Sequence, residues 1–413
     1  MAESLLGSIT DTKTSRETEA EKELEKRANE KAREIAETGR TFDYIFNVWQ
    51  KRHYGDPLVG QLLLLSVGPQ SIIKSKGIHV QLCGSGGIGK SDAAKKMAAL
   101  IDPEHVLDSA LTPQVLFYPT ATFEDSTVVF VDDVVWNSDP GASIKRITSK
   151  FHEGATRTVT TEGVGIKYKS RKRLTFWVTS VDSNADEQLR DRFLLLDIDE
   201  TPEHIQKTIK SMQAQDAGHA SKPLDMDFED RVCWALIRDL KSLFLDVVIP
   251  FAEQTNFKGD TRAYGMFSDM VKSFAIFAHS KRTLDTDGSL IATEEDFYRA
   301  KNLYEELGGH DRDKYTTGEL KVLEAILQCK GHTATRPDIQ KITGLSSGRV
   351  GDILNGRGKD EQQKHGLLYK CAALEVDYGK KPYAYRLPAD FSPSKTCLVE
   401  LENAPEPSSL DEN

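Results

Sequence analysis

Residues 84–91 read Gly84-Ser-Gly-Gly-Ile-Gly89-Lys90-Ser91 and satisfy the spacing GxxxxGK[ST]. Glycines at Gly84, Gly86, Gly87 and Gly89 let backbone N–H groups close around an anion, and the helix expected from Ser91 adds the positive end of its dipole. In that arrangement Lys90 reaches the β- and γ-phosphates of ATP and the Ser91 hydroxyl holds Mg²⁺. The same chemistry needs an acid at the end of another buried strand. Thr127-Val-Val-Phe-Val-Asp132-Asp133 supplies it, with Asp132 holding the Mg²⁺ through water and Asp133 placed to polarise the attacking water.

Such groups need a scaffold that brings strand ends together. Between about 78 and 198, short apolar runs (IHVQLC, TVVFVDD, TFWVTS, FLLLDID) alternate with helical stretches, the signature of a parallel sheet covered on both faces and hence of an α/β domain. The expected organisation has five parts. Residues 1–40 form a charged segment, helical and solvated or disordered, whose thin apolar stripe is Ala20, Leu24, Ala28, Ala32 and Ile35. Residues 41–225 form the ATPase core and 226–310 a helical lid. Residues 316–388 form a compact unit of three helices and a hairpin, a winged helix-turn-helix pattern, and 389–413 an acidic disordered tail.

Composition narrows the class. The net charge is -10, yet residues 145–173 hold nine Lys or Arg against two acids, so a basic surface exists inside an acidic chain. No apolar run reaches the roughly 18 residues of a membrane span, and MAESLLGSITDTK lacks the basic start and apolar core of a signal peptide; a cytoplasmic protein is expected. Cys83, Cys233, Cys329, Cys371 and Cys397 show no CxxC pair or histidine spacing, which argues against a zinc site and for small buried hydrophobes.

The order of Tyr54-Gly55, the apolar LLLLSVG and GIHVQLCGSGGIGKS resembles the start of the ATPase module of minichromosome maintenance (MCM) helicases, a branch of the AAA+ ATPases, and the likeness runs to about residue 308. The resemblance implies a P-loop AAA+ domain with a helical lid, ATP and Mg²⁺ as cofactors, DNA as partner, and a ring of six chains. It makes RTVTTEGVGIKYKSRKR a DNA-contacting hairpin turning at Glu162-Gly-Val-Gly165. Lys167 and Lys169, with Arg171, Lys172 and Arg173 at its base, would then grip backbone phosphates. Asp191-Arg192-Phe193 resembles the Ser-Arg-Phe motif of the family, making Arg192 an arginine finger for a neighbouring site, with Arg190 the competing candidate. Gly259-Asp-Thr-Arg262 resembles the lid motif whose arginine contacts the γ-phosphate. Two departures stand out. The family's polar residue after LTFWVTS is Asn, where this chain offers Ser180, or Thr179 or Asn184; and the usual second Glu is here Asp133, one methylene shorter, which points to slow hydrolysis.

In the C-terminal unit, Ser346–Asn355 would lie in a DNA major groove with Arg349 on it, while Lys380 and Lys381 at the hairpin tip meet phosphates or the minor groove. Residues 316–386 carry twelve Lys or Arg against eight acids. The leading reading is an ATP-driven DNA helicase or translocase acting in replication. The alternatives are an origin-binding initiator or loader that uses ATP as a switch, and a regulator or defence protein that reads DNA without moving along it.

Overall fold

The computed structural model describes residues 2–108, 113–117, 123–136, 138–161, 164–180, 192–198, 201–217, 223–257, 261–307, 315–356, 366–371, 373–379, 381–388, 391 and 399–401. Helices α1 (Ala2–Glu37), α2 (Thr41–Arg52) and α3 (Pro57–Leu65) lead to strand β1 (His79–Cys83) and helix α4 (Lys90–Ala98). Strand β2 (Val106–Asp108), helix α5 (Pro113–Phe117), strand β3 (Val128–Val131) and helix α6 (Asp139–Thr148) follow. The hairpin β4 (Thr156–Thr161) and β5 (Val164–Lys169) then precedes β6 (Thr175–Ser180) and β7 (Phe193–Asp197). Five strands make one parallel sheet in the order β2-β3-β6-β1-β7. This is an α/β P-loop fold.

Alternation along each strand sorts side chains between two cores, because successive residues point to opposite faces. Val80, Leu82, Val128, Phe130, Trp177, Leu194 and Leu196 enter the larger core; Val129, Val131, Phe176, Val178, Phe193 and Leu195 enter the smaller one under α5 and α6. Both faces are covered, which is why the strands read as unbroken apolar runs.

The larger core is shared with helices on either side of the sheet in sequence. After β7 the chain continues through α7 (Pro202–Asp216), α8 (Pro223–Ser242), β8 (Val247–Val248), β9 (Thr255–Asn256), α9 (Thr261–Phe277), β10 (Leu290–Ile291) and α10 (Glu294–Glu306), and the buried residues of α2, α3, α8, α9 and α10 form one cluster. Trp49 lies within it, and a Cβ on Gly60 would fall 2.4 Å from the Trp49 ring, so only glycine lets α3 approach α2 this closely. The segment 1–40 differs from its expectation. α1 buries Ala28, Ala32 and Ile35 in this core, and Glu25 pairs with Arg231 at 3.4 Å and Arg238 at 2.5 Å on α8. A stripe too thin to suggest burial is enough when the facing helix supplies the remaining apolar surface.

The C-terminal unit has its own core of residues from Tyr315 to Leu387. It consists of α11 (Thr317–Gln328), β11 (Thr333–Thr335), α12 (Arg336–Thr343), α13 (Ser347–Asn355), α14 (Leu367–Lys370), β12 (Glu375–Asp377) and β13 (Ala384–Arg386). The strands form an antiparallel sheet in the order β11-β13-β12. Capping boxes at Thr316/Glu319 and Thr335/Asp338 start α11 and α12, satisfying backbone N–H groups that the helices leave without partners. The tail also departs from its expectation. β14 (Glu400–Leu401) pairs with β9 (Thr255–Asn256), and Val399 is fully buried in the larger core. Its composition is acidic overall, but the local run Cys397-Leu-Val-Glu-Leu401 is a strand pattern that the average concealed.

One buried group makes the fold sensitive to acid. His79 is enclosed by the rings of Phe151, Phe176 and Phe193, and its Nδ1 accepts the Phe176 N–H at 3.3 Å. Burial, and then the nearby Arg192 charge, push its pKa down to about 3. Below the ordinary value of 6.5 the unfolded chain takes up a proton that folded His79 refuses, so stability falls by roughly 1.4 kcal/mol per pH unit from this group between 6.5 and about 3. Unfolding free energies measured in urea from pH 7 to 4 should show this slope. His79→Asn, which cannot be protonated, should flatten it, and an unchanged slope in that variant refutes the assignment.

Candidate functional site

The carboxyl ends of β1, β6 and β3 stand side by side, with β6 between the other two. Cys83, the last residue of β1, is level with Ser180 on β6, and Val131 on β3 is level with Val178. The glycine loop, the end of β6 and the acids therefore meet at one edge of the sheet. Asp132 accepts hydrogen bonds at a single oxygen, Oδ1, from the Ser91 hydroxyl at 2.5 Å and the Thr179 hydroxyl at 2.6 Å. Partial burial opposes its charge, but those two bonds, helped by Lys95 and Lys90, hold the carboxyl below the usual carboxylate range. The Thr179 oxygen also accepts the Asp133 N–H at 2.8 Å. Asp133 has φ 48°, a left-handed conformation that costs a non-glycine residue about 1 kcal/mol or more, and the Thr179 bond helps to hold it there.

The loop fits a phosphate. Gly87 and Gly89 have φ of 83° and 98°, and a Cβ built on Gly86, Gly87 or Gly89 meets nothing within 4 Å. These positions are glycine for backbone conformation and for clearance above the loop, not to make room for neighbouring protein. Lys90 is 5 % exposed and donates to the carbonyls of Gly84 at 2.9 Å and Ser85 at 2.7 Å, which aims its ammonium across the mouth of the loop. Ser91 Oγ and Asp132 Oδ1, both hard oxygen donors, lie side by side as a divalent cation such as Mg²⁺ requires.

The loop helix α4 is braced from behind. Trp49 Nε1 donates to Ala93 O at 3.1 Å and Trp234 Nε1 to Ala99 O at 2.9 Å. His53, stacked near Trp49, sits between Asp92 of the first turn of α4 (Nδ1, 3.0 Å) and Asp56 (Nε2, 3.4 Å). Burial works against its charged form, but the two carboxylates outweigh it and raise the His53 pKa above the ordinary value. The turn Tyr54-Gly55-Asp56-Pro57 is thereby fastened to the phosphate loop, a link that the sequence order alone does not reveal.

Residues 24–242 match the model of the family described as the MTBMA_p00010 P-loop domain. The chain belongs to this family. The matched stretch holds the loop, both acids, the β4–β5 hairpin and α8. A P-loop in this setting binds nucleotide. The chain is also 25% identical over 384 residues to the protein MTBMA_p00010 of Methanothermobacter marburgensis; the alignment covers 83% of this chain and 47% of that protein. The chain thus spans about half the length of the curated relative it matches.

Arg192 and Arg262 lie apart from Asp132 and Asp133. Arg192 and Arg262 line a cavity of about 460 Å³ together with Lys76, His79 and Lys150. His79 begins β1 and the phosphate loop follows its end, so this cavity and the loop are separated by roughly 13 Å of strand, four steps at about 3.3 Å. Arg192 donates to the Lys145 carbonyl at 2.5 Å. Arg262, like Arg192, thus lines the cavity near the start of β1, whereas the phosphate loop follows the end of that strand. Arg190, Asp191, Asn184, Gly259 and Asp260 lie outside the described residues.

Three further expectations change. At the end of β6 the alternative Thr179, not Ser180, supplies the hydroxyl that bonds Asp132, while Ser180 occupies the last position of the strand, beside Cys83; a strand's alternation sends successive side chains to opposite faces. Arg173 does not join a basic surface: its guanidinium lies 3.8 Å from the centre of the Phe244 ring and donates to Gln70 O at 3.3 Å. Arg349 is 6 % exposed, turned into the C-terminal unit and not toward a groove, because α13 buries the face that also carries Val350, Ile353 and Leu354. By contrast Lys167, Lys169 and Lys381 are exposed and Arg171 is half-buried. Lys380 lies outside the described residues. Among the described residues no helix is long and apolar enough to cross a membrane.

Thr179→Val keeps the shape of the side chain but removes both hydrogen bonds. Nucleotide affinity, read by fluorescence of a labelled ATP analogue, should change less than about threefold while turnover of Mg-ATP falls at least about tenfold; a hydrogen bond to a charged group is worth about 1.5–3 kcal/mol. Thr179→Ser should recover most of the loss. Equal activity in all three proteins removes Thr179 from the site.

Proposed function

We propose that this P-loop protein is an ATP-dependent DNA helicase or translocase of the MCM-like AAA+ type, working in DNA replication as a ring, most simply of six chains. The observation that carries the reading is the β4–β5 hairpin, which is inserted in the ATPase core between α6 and β6. Its pairing puts Lys167 opposite Thr158 and Lys169 opposite Thr156, so one face is polar and cationic. The other face carries Val159, Ile166 and Tyr168, and Tyr168 packs on the smaller core. A hairpin fixed by one face and offering lysines on the other is suited to gripping a phosphate backbone.

In this reading Lys90 exchanges the Gly84 and Ser85 carbonyls for phosphate oxygens, Ser91 and Asp132 hold Mg²⁺, and Asp133 orients the attacking water. A bound Mg²⁺ would supply charge neutralisation for the phosphates. The separation of Arg192 and Arg262 from their own loop suits a site completed by a neighbour, in which both guanidinium groups meet the phosphates held by the next chain. The C-terminal unit is taken as a winged helix-turn-helix, with α13 as the groove helix and the β12–β13 turn as the wing. With Arg349 buried, contact by α13 falls to the exposed Ser346, Ser347 and Gly348.

A second reading, an initiator or loader that uses ATP as a switch, is favoured by Asp133, whose carboxylate is one methylene shorter than Glu. Steady-state ATP hydrolysis with and without long single-stranded DNA at low salt separates the two. DNA should raise the rate severalfold for a motor, and a slow rate indifferent to DNA would replace the motor with the switch. Replacing Lys167 and Lys169 together by Ala should abolish the DNA response and leave the basal rate within about twofold, since the hairpin leads into the start of β6 and the loop and acids lie at the carboxyl ends of the strands. Arg192→Ala should spare ATP binding and lower turnover by roughly 10³-fold, as loss of an arginine finger does. Retained turnover in that variant removes the neighbour-completed site.

A further inference from the structure

Large apolar side chains seldom stand in solvent as an ordered pair. Tyr378 and Tyr383 are 67 % and 40 % exposed, yet their rings meet edge to face with centroids 5.3 Å apart and planes at 72°. They flank the turn between β12 and β13, where Asp377 Oδ1 accepts the Gly379 N–H at 2.9 Å and stiffens the approach to the tip. The next tyrosine in the strand, Tyr385, shows what a structural tyrosine looks like in this unit: it is 1 % exposed and its hydroxyl accepts Arg336 Nε at 3.1 Å. No such burial explains Tyr378 and Tyr383.

The turn reads Tyr378-Gly-Lys380-Lys381-Pro382-Tyr383. Lys381 is exposed and stands two residues before Tyr383 in the turn. An exposed ring face next to a cation is the combination that single-stranded nucleic acids use, because every base has a π-face to stack and every nucleotide a phosphate to neutralise. The narrow hairpin tip suits one or two unpaired bases better than the broad apolar patch a protein partner usually covers.

We propose that the Tyr378–Tyr383 pair is a stacking platform for unpaired bases of single-stranded DNA, with Lys381 taking the adjoining phosphate. This goes beyond a wing that meets duplex phosphates, and it rests on the DNA-binding reading above. The platform gives the C-terminal unit a preference for unpaired strands, such as those exposed where a duplex opens.

Fluorescence anisotropy of the full-length protein with a labelled twenty-nucleotide oligo-dT and with a blunt duplex of the same length tests it. Tyr378→Ala with Tyr383→Ala should weaken oligo-dT binding about tenfold or more, leave duplex binding within twofold, and leave the salt dependence unchanged because no phosphate contact is lost. Tyr378→Phe with Tyr383→Phe should bind as the unaltered protein does. Oligo-dT carrying 5-iodouracil should photo-crosslink to Tyr378 or Tyr383, a signal that a structural role would not give. If the alanine pair binds oligo-dT normally while the Lys167 and Lys169 double variant does not, the platform is wrong and the DNA reading stands; the surface then suits a protein partner. If both DNA forms weaken equally in the alanine pair, the preference for unpaired bases is wrong. If the unaltered protein binds neither form, both readings fall together.

Discussion

One carboxylate oxygen organises the nucleotide site. Asp132 Oδ1 takes hydrogen bonds from Ser91 on α4 and Thr179 on β6, joining the phosphate loop to the strand between it and the acids. The bond is possible because β6 is inserted between β1 and β3, so a residue of β6 reaches both neighbours. Thr179 then passes the constraint to Asp133 by accepting its N–H, which fixes a strained backbone where a water would have to be oriented. A change in the position of Ser91 would be felt at Asp133 through two hydroxyl groups.

Asp132 and Asp133 lie at one end of the sheet and Arg192 and Arg262 at the other. The two acids sit at the carboxyl ends of the strands beside the loop, while the two arginines line the cavity near the start of β1 together with Glu153 and Asp269. Roughly 13 Å of strand lies between the two sets, so they do not meet at one end of the sheet. In the proposed ring, one chain's cavity set against the next chain's loop would bring them together, an argument for a neighbour-completed site that does not depend on the hairpin.

Much of this was legible in the sequence, for identifiable reasons. The loop spacing, the apolar run before Asp132 and the alternation in TVTTEGVGIKYKS each belong to a local pattern, and local patterns survive without knowledge of the rest of the chain. What failed needed long-range information. Ser180 and Thr179 differ by one step in a strand, and only the register against β3 decides which reaches Asp132. Arg349 sits among helix residues of both polarities, and the buried face of α13 is set by contacts with distant elements. The α1 stripe and the Glu400–Leu401 strand were hidden by charged neighbours, because composition averages over residues that the fold separates.

The integration of α1 and the final strand bears on how the P-loop domain can move. Carbonyls of α4 and of the residue that ends it accept indole N–H groups from Trp49 on α2 and Trp234 on α8. Arg52 pairs with Asp230 and Lys51 pairs with Glu229 at 2.5 Å, locking α2 to α8, while Glu25 ties α1 to the same helix. Helix α8 therefore cannot pivot on the loop helix as a separate lid would without breaking several charged contacts and opening a shared apolar core. Elements outside this bundle are less constrained: the hairpin is held by one face only, and the C-terminal unit approaches the residues after β7, where a Cβ on Gly344 would lie 2.8 Å from Thr201. In the proposed reading the exposed Lys167 and Lys169 therefore stand on an element that the bundle does not fix, where a nucleotide-dependent shift would move them together.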